Sequence, residues 1–209
     1  MTTVPSHVPP TYVNCNRLWV DSRARAVAQR VVELPVLRRL GGRVDGGRVL
    51  EVGTGRRGTG LRLALTHLGA ARVDGVELHP ASVRAVRAAT RDLGGLSRVE
   101  QGDATALAAA DGTYDAVLCF HLLHHADDWR AVVREAARVL APGGRLYVAD
   151  MTAAFVDSRA LRALSLHPAD GDRPTPEGVE AAVRAAGLEV LGTEVRYAGW
   201  WLGLAARRP

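Results

Sequence analysis

Lysine is absent from this 209-residue chain, whose 27 basic residues are all arginines. Pyridoxal Schiff bases, Walker phosphate loops and the Tyr-x-x-x-Lys pair of short-chain dehydrogenases each need a lysine amine, so those chemistries are excluded. Cysteine is scarce. Cys15 and Cys119 lie far apart and cannot build the kind of disulfide framework that staples small secreted domains, which points to a reducing compartment. Long apolar runs are missing as well: nothing approaches the roughly 18 to 20 residues a membrane span needs, and Met1 to Pro10 lacks the charged-then-apolar order of a signal peptide. The expected location is therefore the cytoplasm, with no membrane span.

The net charge of +5 invites a nucleic-acid partner, but arginine without lysine reads as the codon bias of a GC-rich genome. The excess is also local. Residues 1–45 hold seven arginines against three acids (Asp21, Glu33 and Asp45), while the remainder is nearly balanced. A solvated helix face accounts for that excess better than an acidic partner does. A nucleic-acid partner is accordingly not expected, and a homodimer is left open.

Hydrophobic residues make up 47% of the chain, enough for one core buried on both faces of a sheet. From Asp45 onward, short β-branched runs alternate with alanine-, leucine- and arginine-rich stretches of helical length, the pattern of βαβ units and a parallel sheet. The spacing predicts seven strands, at Arg48–Val52, Arg72–Leu78, Ser97–Gln101, Tyr114–Phe120, Arg145–Ala149, Leu188–Val195 and Trp200–Ala206. The last two are joined only by Tyr197-Ala198-Gly199, too short for a parallel crossover, so they should run antiparallel. Pro80 opens one helix, Asp127 is a candidate cap for another, and Thr175-Pro176 starts a third. Ahead of the sheet, Ala24, Val27, Ala28, Val31 and Leu34 form one apolar helical stripe. Residues 1–44 are read as a helical lid and 45–209 as the main domain, with Thr152 to Arg173 as a second cap near the site.

The chemistry is concentrated at strand ends. Val49-Leu50-Glu51-Val52-Gly53-Thr54-Gly55-Arg56-Arg57-Gly58 is an apolar strand entering a glycine-rich turn. Gly53, Gly55 and Gly58 also satisfy the G-x-G-x-x-G dinucleotide fingerprint, which by itself is ambiguous. Glu51 tips the reading: a carboxylate two residues before the first glycine suits a cationic amino group and would repel pyrophosphate. Glu77, 24 residues after Gly53, ends the second strand and is placed to accept ribose hydroxyls. Asp103 follows the third strand in Gly102-Asp103-Ala104. The fourth strand exits into Phe120-His121-Leu122-Leu123-His124-His125, and Leu140-Ala141-Pro142-Gly143-Gly144 precedes the fifth.

In that order these elements resemble the class I S-adenosylmethionine-dependent methyltransferases, especially their type 11 branch, over residues 48–207. The resemblance implies an α/β fold, a Rossmann-like three-layer sandwich with a seven-stranded, mostly parallel sheet and a C-terminal antiparallel hairpin. It implies S-adenosylmethionine as cofactor. Glu51, Gly53, Thr54, Gly55 and Gly58 would form its methionine turn; Glu77 and Leu78 would meet the ribose; Asp103, Ala104 and Phe120 would meet the adenine side. The family usually reads G-x-G-x-G, and Arg56-Arg57 inserts a residue here. The reaction implied is an in-line methyl transfer to a small-molecule acceptor. His121 and His124 are the candidates for a general base, since adjacent histidines at a strand exit do not match a zinc-ligand spacing and no metal is expected. Tyr12, Asn16, Arg17 and Trp19 are weaker candidates for the acceptor pocket; Trp200 and Trp201 read as packing. Two other readings are an NAD(P)-binding oxidoreductase, favoured by the glycine fingerprint, and a non-catalytic protein that only binds the cofactor.

Overall fold

The computed structural model describes residues 22–158 and 172–209. Seven strands form one sheet in the order β3-β2-β1-β4-β5-β7-β6. They are β1 (Arg48–Val52), β2 (Arg72–Glu77), β3 (Ser97–Gln101), β4 (Tyr114–Phe120), β5 (Leu140–Met151), β6 (Glu189–Arg196) and β7 (Trp201–Arg207). The pairs β1–β2, β1–β4, β2–β3 and β4–β5 are parallel, and β7 runs antiparallel to both β5 and β6. The expected strands and the terminal hairpin are present. One of them is longer than expected: β5 begins at Leu140, which pairs with Tyr114 before the register breaks and resumes at Ala116 and Arg145.

Side-chain alternation explains the layering. Along the central strands Leu50, Val52, Val117, Cys119, Leu146 and Val148 point to one apolar cluster. Val49, Ala116, Leu118, Tyr147 and Ala149 point to the other. Strands buried on both faces in this way need helices on both sides. The first face is covered by α5 (Trp129–Val139) and α7 (Pro176–Ala185), through Trp129, Val132, Val133, Val179 and Val183. The second is covered by α2 (Leu34–Gly41), α3 (Thr59–Leu63) and α4 (Pro80–Ala89), through Leu34, Leu37, Leu61 and Val86. Pro80 occupies the first turn of α4. The cap of α5 is Asp128, one residue later than expected, whose Oδ1 accepts the Ala131 amide at 2.8 Å. A short helix α6 (Ala153–Val156) follows β5; the rest of the expected second cap, 159–171, lies outside the described residues.

The N-terminal segment departs most from the sequence reading. It comprises α1 (Arg23–Ala28), a π-helical turn over Gln29–Glu33 and then α2. Val27 and Val31 of the expected apolar stripe are 57% and 60% exposed, whereas Arg25, Gln29 and Glu33 are buried. The polar face turns inward because Arg25 and Glu33 satisfy one another there: Arg25 Nη1 donates to both Glu33 oxygens, at 3.0 and 3.2 Å. A buried charge is tolerated only when paired and hydrogen-bonded in this manner. Among the described residues no helix is long and apolar enough to cross a membrane.

Candidate active site

Strand order reverses between β1 and β4, and in open α/β sheets the crevice at the carboxyl ends beside such a reversal is where ligands bind. A cavity of about 440 Å³ lies there, within the usual range for small-molecule sites. Gly53, Gly55, Glu77, Leu78, Asp103, Ala104, Phe120 and His121 all line it, joined by Arg56, His79, Thr105, His125 and Asp127.

Its first half is built from backbone and near neighbours. Gly53 and Gly55 have φ of 72° and 61°, a left-handed region that favours glycine. A Cβ at Gly53 would press on Leu122, whereas one at Gly55 would project into open space. The Gly55 amide donates to Glu77 Oε2 at 3.0 Å and the His79 amide to Oε1 at 3.1 Å, so the carboxylate is fixed at the end of β2. Each oxygen keeps acceptor capacity for a ligand hydroxyl. Asp103 is held similarly: its Oδ1 accepts the Thr105 amide and hydroxyl, at 2.8 and 2.7 Å. Two fixed carboxylates beside an open glycine turn fit the polyhydroxylated, amine-bearing outline of an adenosyl group.

Four of the expected residues do not line the cavity. Glu51 is buried beneath the turn, packed against Gly60, where any Cβ would collide with its carboxyl group. Its Oε2 has no hydrogen-bond partner among the described residues, and burial pushes its pKa up to about 8. Its carboxyl group thus lies beneath the turn in this structure, not on the cavity wall. Thr54 is buried and its hydroxyl donates to the Gly55 carbonyl at 3.3 Å. Gly58, at φ 59°, caps α3, and a side chain there would strike Thr90 and Val86. His124 sits behind the cavity wall, with its Nδ1 against Asp150 Oδ1.

The second half is built by side-chain pairs from distant segments. His121 has φ of 52°, uncommon for a non-glycine residue and of the kind found at functional sites. Its amide donates to the Ala149 carbonyl at 2.7 Å, and its Nε2 lies 2.9 Å from Glu33 Oε1. Burial pushes the Glu33 carboxyl up, but the charge and hydrogen bond of His121, then those of Arg25, hold it below the usual range. Asp150 behaves likewise. Burial raises it, and His124, His121 and the Leu123 amide bring it below the ordinary value; that amide lies 2.7 Å from Oδ2, and the Met151 amide 2.7 Å from Oδ1. The rings of His121 and His124 meet edge-on with centroids 6.2 Å apart, and His124 lies against His125 at 3.8 Å. Glu33 and Asp150 were not identified from sequence, since their partners are 88 and 26 residues away. Tyr12, Asn16, Arg17 and Trp19 lie outside the described residues. Trp201 is buried, while Trp200 is 45% exposed with its ring 5.4 Å from Phe155. Among the described residues no three histidine, cysteine or acidic side chains gather as metal ligands would.

Residues 50–148 match the family model described as a methyltransferase domain. Over that stretch, just under half of the chain, the sequence is similar to methyltransferase domains. S-adenosylmethionine is the cofactor that this likeness implies. A ubiquinone biosynthesis O-methyltransferase of Xanthomonas oryzae pv. oryzae is 36% identical over 112 residues, covering 51% of this chain and 44% of that protein. A 27-O-demethylrifamycin SV methyltransferase of Amycolatopsis mediterranei is 31% identical over 155 residues, covering 71% and 56%. The chain spans about half the length of the curated relatives it matches. An S-adenosylmethionine-dependent methyltransferase structure from Mesorhizobium loti shares the fold, with a TM-score of 0.69 at 21% identity over 83% of this chain and 96% of that one.

Proposed function

We propose that the chain transfers a methyl group from S-adenosylmethionine to a hydroxyl oxygen of a small-molecule acceptor. The observation that carries this reading is that one cavity is lined by Glu77, Asp103 and His121 together. Two relatives, a ubiquinone biosynthesis O-methyltransferase and a 27-O-demethylrifamycin SV methyltransferase, support oxygen and a small molecule.

In this reading Glu77 accepts the ribose hydroxyls, and Asp103 accepts the adenine amino group beside the Ala104 amide. Gly53 and Gly55 let the backbone approach the methionyl part, and Leu78 and Phe120 supply apolar walls. When bound, the cofactor supplies an electrophilic methyl group. His121 takes the acceptor's hydroxyl proton through Nδ1, the ring nitrogen not engaged by Glu33. With the cofactor held by these residues, the acceptor oxygen would receive its methyl group as a methyl ether, S-adenosylhomocysteine would leave, and the proton taken by His121 would remain on its ring as an imidazolium. Alignment of the two reactants within the cavity contributes much of the rate, and a placed base adds about 10²- to 10⁴-fold.

Thermal-shift assays with S-adenosylhomocysteine, alongside NAD and NADP, test the cofactor half: a rise with the first and none with the others is expected. Radiolabelled methyl transfer to a panel of phenols and aliphatic alcohols tests the reaction. Stabilisation by NADP alone would overturn the reading.

A further inference from the structure

The N-terminal helical segment reaches the site through one side chain. Glu33 ends the π-helical turn, and its side chain is 6% exposed, as is that of His121. It receives Arg25 on one side and faces His121 Nε2 on the other. A carboxylate accepts hydrogen bonds and donates none, so the imidazole nitrogen facing it carries the hydrogen. In the neutral ring the other nitrogen, Nδ1, then holds the lone pair. His121 also has an unusual backbone conformation, which something outside its own loop has to maintain. His121 first and Arg25 second hold the Glu33 carboxyl below its ordinary range despite burial, and Arg25 Nη1 donates to both of its oxygens.

We propose that Glu33 is the positioning residue of this enzyme: anchored by Arg25, it locks His121 in the Nε2–H tautomer with Nδ1 left to accept the acceptor's proton. The arrangement would couple proton transfer to docking of the N-terminal helical segment, since Arg25 and Glu33 arrive together. This inference rests on the reading of His121 as the base.

Nitrogen NMR of histidine-labelled protein saturated with S-adenosylhomocysteine, at a pH well above the histidine range, reports the tautomer without any turnover. Signals of His121 are assigned by their loss in His121→Asn. The wild type should show a single Nε2–H tautomer. The double variant Arg25→Met/Glu33→Leu orphans no buried cation and should show both tautomers. Its turnover should fall by about tenfold or more, with S-adenosylhomocysteine affinity within about twofold of wild type. Glu33→Gln retains an acceptor oxygen and should restore most of the tautomer preference. A wild-type Nδ1–H tautomer, a single Nε2–H tautomer kept by the double variant, or unchanged turnover in the double variant when His121→Asn is impaired, would overturn the proposal. If instead His121→Asn turns over normally while the tautomer results hold, the assignment of the base fails and the locking role of Glu33 stands.

Discussion

The two halves of the cavity are constructed differently. On the β1–β3 side the functional groups are held by nearby backbone: Glu77 by the Gly55 and His79 amides, Asp103 by Thr105. On the β4–β5 side they are held by buried side-chain pairs from separate elements, Glu33 with His121 and Asp150 with His124. The first construction tolerates loss of a side chain, because the amides left behind can turn to water. The second does not, because a buried partner is left unpaired. Stability should therefore depend on the histidine side, and cofactor affinity on the carboxylate side.

The largest effect expected is at Asp150. Asp150→Ala strips His124 and the Leu123 amide of a fully buried acceptor and should cost about 3 to 5 kcal/mol in urea unfolding. Because the folded-state carboxyl lies below its ordinary value, its contribution is present above that range and lost as pH falls through it, so the difference from wild type should shrink in acid. Equal stability of the variant at neutral pH would erase the contrast between the two halves.

Glu51 gives the next effect, of opposite sign. The folded chain holds its proton to about pH 8 against an ordinary 4.5, so an unfolded chain releases it first and stability declines as pH rises between those values. Glu51→Gln should flatten that decline, as measured by denaturant midpoints at the two ends of the interval. Glu77→Ala should then weaken S-adenosylhomocysteine binding by about 10- to 100-fold, and Asp103→Ala by about tenfold, the loss expected of hydrogen bonds to charged acceptors. Trp200→Ala, at an exposed site, should change stability by less than about 0.5 kcal/mol.

The same difference in construction decides what could be read from the residues. β-branched runs and their turns specify the strands, since each is a local signal, and the short link before Trp201 specifies the antiparallel hairpin. Glu77 and Asp103 could be placed because a strand end is legible and both fall at one. In the N-terminal helix the apolar spacing points Val27 and Val31 inward, but the pairing of Arg25 with Glu33 and a π-helical turn bring the polar face inside. Glu51 matched a motif, yet the close approach of Gly60 buries it beneath the turn. Glu33 and Asp150 carry no local mark, because each is defined only by a histidine that folding brings to it.

The central claim is that the carboxylates at the ends of β2 and β3 hold an adenosyl group while the carboxyl beneath the glycine turn does not. Isothermal calorimetry with S-adenosylhomocysteine tests it on wild type, Glu77→Ala and Glu51→Gln at pH 7. Saturable heat in the wild type, sharply weakened by Glu77→Ala and nearly preserved by Glu51→Gln, is the result predicted. No heat in the wild type, or a loss confined to Glu51→Gln, would contradict it.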